Sequence, residues 1–291
     1  YLAFLGSSDQ RIADRREDFR QFRSRESDWL TDYSLFMSLK DRNDGRSWQE
    51  WDDDIRTRKP EAVDYYKSLL AEQIDFYSFI QFEFYREWTL LKRYANDHGI
   101  EIIGDIPIYV ALDSADVWCN PSDFQLDEKL NPVEVAGCPP DAFSDYGQKW
   151  GNPLYNWKKM KQDGFTWWKK RMGAAAGLYD IVRIDHFLGV VKYYCIPVDG
   201  DPVDGHYEEG PGKDLTDAID QVMNGSKVIA EDLGVQIDGV KKLLSQTGYP
   251  GMKILEFAFD GNRNNEYLPH MYDRNCVVYR DRKSTRLNSS H

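Results

Sequence analysis

Hydrophobic positions in the first hundred residues recur at intervals of three and four, which is the period of an amphipathic helix. We predict helix from a cap at residues 8–9 to about Lys40, followed by a turn at residues 43–45. A second long helical stretch is predicted from Pro60 to a cap at Gly99. The apolar positions of this stretch are expected to pack in the core: Tyr77, Ile80, Phe84, Trp88, Leu91 and Ala95.

After Gly99 the period changes, and short apolar runs rich in Ile and Val appear instead of helical repeats. These runs are predicted as buried parallel strands at residues 100–110, 181–184, 228–230, 254–258 and 277–279. Helix-compatible stretches lie between several of them, at residues 167–176, 214–223 and 235–246. Strands that alternate with helices favour an α/β fold with a parallel sheet.

Two parallel architectures compete, and the positions of acidic residues decide between them. A Rossmann-type sheet should show a glycine-rich turn after its first strand, and neither GxGxxG nor a Walker loop occurs. Asp105, Asp185 and Glu231 each follow or end an apolar run, where a (β/α)8 TIM-type barrel places its functional residues. We therefore predict a (β/α)8 barrel with helical insertions.

The predicted barrel suggests a division of the chain. Residues 1–99 are expected to form a helical insertion and barrel helices, and residues 100–279 the barrel strands and helices with the catalytic carboxylates. Within the second part, residues 119–157 are rich in Gly, Pro and Asp and lack strong periodicity. Long loops of this kind are usually functional, so this segment is a candidate substrate loop.

Composition narrows the classes of function. The 291 residues carry 49 Asp and Glu against 37 Lys and Arg, a formal charge of −12, with 41% hydrophobic residues. The acidic balance argues against a nucleic-acid or anionic-membrane partner, and no apolar run approaches the ~20 residues of a membrane span. The four cysteines and five histidines show no metal-ligand spacing, so we expect no metal and no cofactor. A reducing cytoplasm fits best.

Arg183 and Asp185 form the first candidate chemical element. They stand two residues apart in a predicted strand, so their side chains share one face and a guanidinium lies beside a carboxylate. Such a neighbour keeps a carboxylate ionised and oriented, as a nucleophile requires. A purely structural ion pair remains the alternative from the residues alone.

Glu231 and Asp232 form the second element, two adjacent acids at the end of an apolar run. A partly desolvated acid beside another favours its protonated form, which suits Glu231 to the role of general acid. The alternative is that one of the two caps the following helix and faces water. Two carboxylates that flank a scissile bond are the minimal machinery of glycoside chemistry.

Eight motifs follow one another along the chain: GDIPIYV at 104–110, DSADVW at 113–118, GCPPD at 137–141, WGNPLY at 150–155, RIDHF at 183–187, AEDLG at 230–234, GYPGMK at 248–253 and FAFD at 257–260. In this order they closely resemble the motifs of 4-alpha-glucanotransferases (amylomaltase, disproportionating enzyme; glycoside hydrolase family 77). The resemblance covers roughly residues 1–279. It implies transfer of α-1,4-glucan segments between donor and acceptor oligosaccharides by a retaining double displacement.

The resemblance also implies roles for individual residues. Asp185 would be the nucleophile that forms a covalent glycosyl intermediate, and Glu231 the general acid/base. The residues that bind or position the glucan would be Asp105, Trp150, Arg183, His186, Asp232, Phe257 and Asp260. The loop from about Cys138 to Trp150 would cover the site and disfavour water as the acceptor.

The chain departs from the family pattern after Tyr279. There the resemblance implies a Gly-Thr-His-Asp stretch with a third carboxylate, whereas residues 280–291 resemble a translated sequencing-adapter tail. Upstream barrel strands of the family have no counterpart before Gly6, so we expect a barrel that is incomplete at both ends and a chain with little or no turnover. An α-amylase-type hydrolase and a glucan-binding fragment without catalysis remain alternatives.

Overall fold

The computed structural model describes residues 1–140, 144–234 and 237–280, and all structural statements concern these residues. They divide into two compact units. The first comprises residues 1–98 and 110–132, and the second residues 99–109 and the chain from residue 133 onward. The predicted tail lies, beyond Arg280, outside the described residues.

The first unit is helical. Its helices are α1 (Leu2–Gly6), α2 (Gln10–Arg25), α3 (Ser27–Arg42), α4 (Asp53–Arg56), α5 (Pro60–Leu69), α6 (Ala71–Asp97) and α7 (Ala115–Cys119). Asp9 caps α2 by accepting a hydrogen bond from the Arg11 backbone N–H at 2.8 Å, and Pro60 opens α5. Each of the two long predicted helical stretches is therefore present, but each is broken once, at Glu26 and at Leu70.

The expectation for the apolar face of α6 is wrong at three positions. Ile80, Phe84 and Leu91 are 40%, 45% and 54% exposed, because α6 turns a different stripe, which includes Phe82, toward α2 and α3. Phe82 packs against aromatic side chains of α2 in one buried cluster. Beside it, the Ser78 and Ser34 hydroxyls share a hydrogen bond of 3.0 Å between α6 and α3.

Residues 110–132 pack within the helical unit, whereas the sequence-based division assigned them to the barrel. Trp118 accounts for much of this placement. Its ring lies under the Arg58 guanidinium, 4.2 Å from ring centroid to Cζ, and its indole N–H donates to the Ile55 carbonyl at 3.1 Å. The Trp48 indole likewise donates to the Leu112 carbonyl at 2.7 Å.

The second unit contains parallel strands that neighbour one another in chain order. They are β1 (Ile103–Pro107), β4 (Ile181–Asp185), β7 (Lys227–Ala230), β8 (Gly251–Ile254) and β9 (Cys276–Tyr279). The first three form one sheet in the order β1-β4-β7, and β8 pairs with β9. The Ala230 backbone N–H donates to the Pro250 carbonyl at 3.0 Å, which sets β8 beside β7. This sequential order is that of a barrel wall.

Helices alternate with these strands as predicted. They are α8 (Trp157–Gln162), α9 (Thr166–Leu178), α10 (Leu188–Val191), α11 (Lys213–Asp220) and α12 (Val240–Thr247). The predicted strand at residues 254–258 is wrong in position: β8 ends at Ile254, and Leu255–Ala258 form a 3-10 turn that buries Ala258 without strand pairing.

A four-stranded antiparallel sheet was not predicted. It consists of β2 (Glu134–Cys138), β3 (Gln148–Pro153), β5 (Lys192–Pro197) and β6 (His206–Glu209), in the order β3-β2-β5-β6. Two of its strands come from the segment that was expected to be a loop. Among residues 1–140, 144–234 and 237–280, no helix combines the length and apolarity needed to cross a membrane.

Candidate active site

The register of the parallel strands brings the predicted acids to one end of the sheet. Asp105 pairs with Arg183, and Pro107 pairs with Asp185, so Asp185 lies one same-face step beyond Asp105. Glu231 directly follows the last residue of β7, and its backbone N–H donates to the Ile184 carbonyl at 3.0 Å. The two candidate catalytic carboxylates therefore emerge from neighbouring strands at the same level.

Arg183 binds both acids of its own face. One guanidinium nitrogen donates to Asp105 Oδ1 at 2.5 Å, and the other lies 2.7 Å from Asp185 Oδ1. Its Nε donates to the sulfur of Met252 on β8 at 3.2 Å. Burial opposes the charged guanidinium, but Asp185 and Asp105 outweigh it and raise the pKa of Arg183. The predicted contact between Arg183 and Asp185 forms, and it extends to a third residue, Asp105.

The Glu231 carboxylate is buried and accepts a hydrogen bond from the backbone. Its side chain is buried, only 7% exposed, and its Oε2 accepts a hydrogen bond from the His186 N–H at 2.9 Å. The helix-cap alternative is wrong for Glu231, because the following helix α12 begins at Val240 with Gly239 at its cap position. The carboxylate is thus fixed on the turn that follows the nucleophile candidate Asp185.

Asp232 turns to the neighbouring strand. Its Oδ1 accepts a hydrogen bond from the Met252 N–H at 2.7 Å, and a Cβ added at Gly251 would lie 2.7 Å from its Oδ2. Burial raises the pKa of Asp232, although the hydrogen bond from Met252 and the charge of Lys253 oppose this. Asp232 therefore joins β7 to β8, and through Met252 it is linked to Arg183.

His186 occupies a left-handed turn directly after β4. Its φ of 53° is uncommon for a residue other than glycine, and this conformation aims its N–H at Glu231. Burial lowers the pKa of His186 to about 4, although the charge of Asp185 opposes this shift. The imidazole is consequently neutral at physiological pH and offers one donor and one acceptor nitrogen.

Trp150, on β3, covers the His186 side chain. The two rings meet edge to face, with centroids 4.8 Å apart and planes at 86°. The indole N–H donates to Gln148 Oε1 at 3.0 Å, while the ring stays 37% exposed. The Tyr109 ring also lies near Trp150, with centroids 6.2 Å apart, and stacks on Tyr155 at 5.8 Å. Tyr109 was not among the predicted site residues, although it stands in the motif that follows Asp105.

Phe257 and Asp260 lie in a separate loop and have their own partners. Phe257 packs edge to face on Tyr267, with centroids 5.3 Å apart, beside a cluster that includes buried Met252. Asp260 is exposed, and its Oδ1 accepts from the Asn262 N–H at 2.8 Å. A surface hollow of about 610 Å³ is lined by the neighbouring residues Ala258, Phe259, Gly261, Asn262, Arg263, Leu268 and His270.

The predicted covering loop is a β-hairpin in its described parts. β2 ends at Cys138, the Ser144 hydroxyl donates to the Gly147 carbonyl at 2.7 Å, and β3 then carries Trp150. Residues 141–143 lie outside the described residues, and part of the predicted loop falls on them. Metal-type side chains gather elsewhere in the described chain, on the antiparallel sheet, at Glu134, Cys195 and His206.

Comparison with known proteins gives matches over most of the chain. Residues 2–283 match the model of glycoside hydrolase family 77, described as 4-alpha-glucanotransferase. A 4-alpha-glucanotransferase from Clostridium butyricum is 46% identical over 265 residues, which are 90% of this chain and 54% of the relative. One from Thermus thermophilus is 46% identical over 280 residues, 95% of this chain and 56% of the relative.

A solved structure agrees with the sequence relatives. The amylomaltase from Streptococcus agalactiae in complex with acarbose has a TM-score of 0.87 and 42% identity, over 95% of this chain and 55% of that one. This match confirms the predicted barrel class. The chain spans about half the length of the curated relatives it matches.

Proposed function

Because the chain belongs to the 4-alpha-glucanotransferase family, glycoside hydrolase family 77, we propose that it carries the catalytic carboxylates of an enzyme that transfers α-1,4-glucan segments between oligosaccharides. The reaction is the disproportionation of maltodextrins, with glucose released from short donors. One observation carries the proposal: Asp185, oriented by Arg183, and Glu231, fixed on the His186 backbone, emerge from adjacent strands at the same level.

Asp185 is the nucleophile of this proposal. Its side chain is 48% exposed and so can reach a bound sugar, while Arg183 binds one carboxylate oxygen, Oδ1. Attack on the anomeric carbon forms a glycosyl ester and breaks the bond to the leaving oxygen, which takes a proton from Glu231. In the second half, Glu231 takes the proton of an acceptor hydroxyl, and that oxygen displaces Asp185.

Three of the remaining residues bind the donor sugar. Neutral His186 and the carboxylate of Asp105 suit sugar hydroxyls, and the exposed face of Trp150 suits the apolar face of a pyranose ring. Asp232 contributes indirectly: it accepts the Met252 N–H and so positions β8, whose Met252 contacts Arg183. We propose that Phe257 and Asp260 line the groove further along the glucan.

Transfer requires that a sugar hydroxyl outcompete water. The β2–β3 hairpin brings Trp150 against His186 beside the acids, and this cover supports transfer over the α-amylase-type alternative.

We further propose a cytoplasmic location for the enzyme, supported by the four free cysteines of the described chain. α-1,4-Glucan oligosaccharides are the proposed partners.

Maltotriose is the substrate for the test. We propose that the 291-residue chain alone turns over little of it, because the Gly-Thr-His-Asp stretch is absent from its sequence. A chimera in which residues 2–279 replace the matching segment of the Clostridium butyricum relative should release glucose and form longer oligosaccharides. Asp185→Asn and Glu231→Gln should each lower this rate by at least about a thousandfold, the scale of losing a covalent or acid/base group.

Matched controls and products separate the alternatives. Exposed Asp64→Asn and Glu61→Gln on α5 should leave the rate unchanged. Glucose and maltose without longer products would favour the hydrolase, and binding of acarbose by the chimera without turnover would favour a glucan-binding role. Full activity of the Asp185→Asn chimera would refute the assigned nucleophile.

A further inference from the structure

The antiparallel sheet gathers three side chains of metal-ligand type that the proposed transfer reaction does not use. We propose that Glu134, Cys195 and His206 form a binding site for a divalent cation of the zinc class. Among the described residues they form a single group in which one ligand atom from each side chain lies within 4.8 Å of the others. Each comes from a different strand: β2, β5 and β6.

Strand register explains why these side chains meet. Cys195 on β5 is paired on one side with His206 and on the other with Ala136, so all three side chains point to the same face of the sheet. Glu134 is two residues from Ala136, and side chains repeat their face every second residue. A thiol, an imidazole and a carboxylate therefore converge across three adjacent strands.

The distances suit a tetrahedral ion. Bonds of about 2.0–2.3 Å to nitrogen, oxygen and sulfur place neighbouring ligand atoms about 3.3–3.8 Å apart. His206 Nδ1 lies 3.7 Å from Glu134 Oε1. The three ligand atoms all lie within 4.8 Å of one another, so binding of an ion requires them to approach by about 1 Å.

A fourth side chain orients the histidine. Glu208, two residues after His206 on the same strand and face, places Oε1 3.4 Å from His206 Nε2. Metal-binding histidines commonly use one ring nitrogen as the ligand while the other donates to a carboxylate. Here Nδ1 faces Glu134, while Nε2 lies 3.4 Å from the Glu208 carboxylate, which places that carboxylate where it can take the second role.

The ligand types select the class of cation. Thiolate and imidazole ligands favour zinc over magnesium and calcium, which prefer oxygen ligands alone. Burial raises the pKa of the Cys195 thiol to about 12, with Glu134 and Glu208 adding to the shift, so the thiol is protonated before metal binds. Binding forms the sulfur–metal bond and releases the thiol proton to solvent.

The site is open on one side. Cys195 is 1% exposed and forms its floor, whereas the side chain of His206 is half exposed, which leaves a position for a water ligand. A bound ion would join β2, β5 and β6. Because β2 pairs with β3, which carries Trp150, the ion would stiffen the sheet that supports this aromatic side chain.

Zinc binding to the purified, EDTA-treated chain tests the proposal. Titration calorimetry with ZnCl₂ should give one site, and Cys195→Ser and His206→Gln should each weaken it by at least about a hundredfold. Glu208→Gln should weaken it by about tenfold, as loss of an orienting carboxylate does. Cys276→Ser and His270→Gln are matched controls outside the site and should bind zinc like the parent.

Cobalt identifies the ligand directly. CoCl₂ should produce a thiolate-to-cobalt charge-transfer band in the near ultraviolet that Cys195→Ser removes. If circular dichroism shows that Cys195→Ser does not fold, His206→Gln is the deciding variant, because the His206 side chain is half exposed and its replacement leaves the core intact. Absence of zinc binding, or binding that Cys195→Ser and His206→Gln leave unchanged, would overturn the proposal and leave only side-chain contacts between His206 and the two glutamates.

Discussion

Protonation of His186 should destabilise the fold over a defined range of pH. The ordinary histidine pKa of 6.5 is lowered in the folded chain to about 4, chiefly because the ring is partly buried against Trp150. Below pH 6.5 the unfolded chain binds a proton at this ring, and the folded chain does not until about pH 4. The stability contributed by the neutral ring is therefore present above pH 6.5 and is lost as the pH falls toward 4.

The magnitude follows from the size of the shift. Each pKa unit corresponds to about 1.4 kcal/mol, so the free energy of unfolding should fall by about 3 kcal/mol between pH 7 and pH 4 at this one residue. The matched variant is His186→Asn, because asparagine tolerates the left-handed backbone at φ 53° and keeps the N–H that Glu231 accepts. Asparagine cannot take up this proton.

Urea unfolding of the parent and His186→Asn at pH 7 and pH 4 measures the difference. The parent should lose about 3 kcal/mol more than the variant between the two values. Exposed His270→Asn is the control and should follow the parent. A difference in pH dependence of less than about 0.5 kcal/mol between the parent and His186→Asn would refute this role of His186, as would ring proton signals of His186 that titrate near pH 6.5 by NMR.

Three further changes test other contacts of the site. Arg183→Lys should lower the kcat of the chimera on maltotriose by about 10- to 100-fold, because one ammonium group cannot replace the charge-assisted bonds to two carboxylates. A kcat within about threefold of the parent's would contradict this role of Arg183. Gly251→Ala should lower the free energy of unfolding in urea by about 1–3 kcal/mol, because the new methyl group meets the Asp232 carboxylate, whereas Gly6→Ala meets open space and should lose nothing. Trp150→Ala should raise KM for maltotriose by about 3- to 10-fold with less effect on kcat, and an unchanged KM would remove this ring from the sugar site.

Local periodicity was enough to predict four of the five parallel strands and the contact between Arg183 and Asp185. Alternation with period two places residues i and i+2 on one face in any strand, so no knowledge of neighbours is needed. The bridge from Arg183 to Asp105 needed more, because it depends on β1 pairing with β4 in one register. The apolar run and the motif resemblance both selected Asp105 for the site, but neither predicted its contact with Arg183.

Contacts between distant segments left no signal in local periodicity. The antiparallel sheet pairs β2 with β5, which are far apart in sequence. Strands β2 and β3 lie in a segment whose Gly, Pro and Asp content is typical of a loop. The group of Glu134, Cys195 and His206 has no short spacing, so a search for ligand motifs passes over it. Pairing of strands from separate parts of the chain creates both features.

The turn at His186 determines much of the site and was equally hidden from the sequence. A histidine after a strand carries no local preference for a positive φ, yet this conformation directs its N–H to Glu231 and its ring to Trp150. A residue other than glycine in the left-handed region lowers the stability of the fold by about 1–3 kcal/mol unless its contacts offset this strain. The hydrogen bond to the Glu231 carboxylate and the packing on Trp150 provide that offset, so the same contacts that position the candidate acid also hold the backbone in its strained turn.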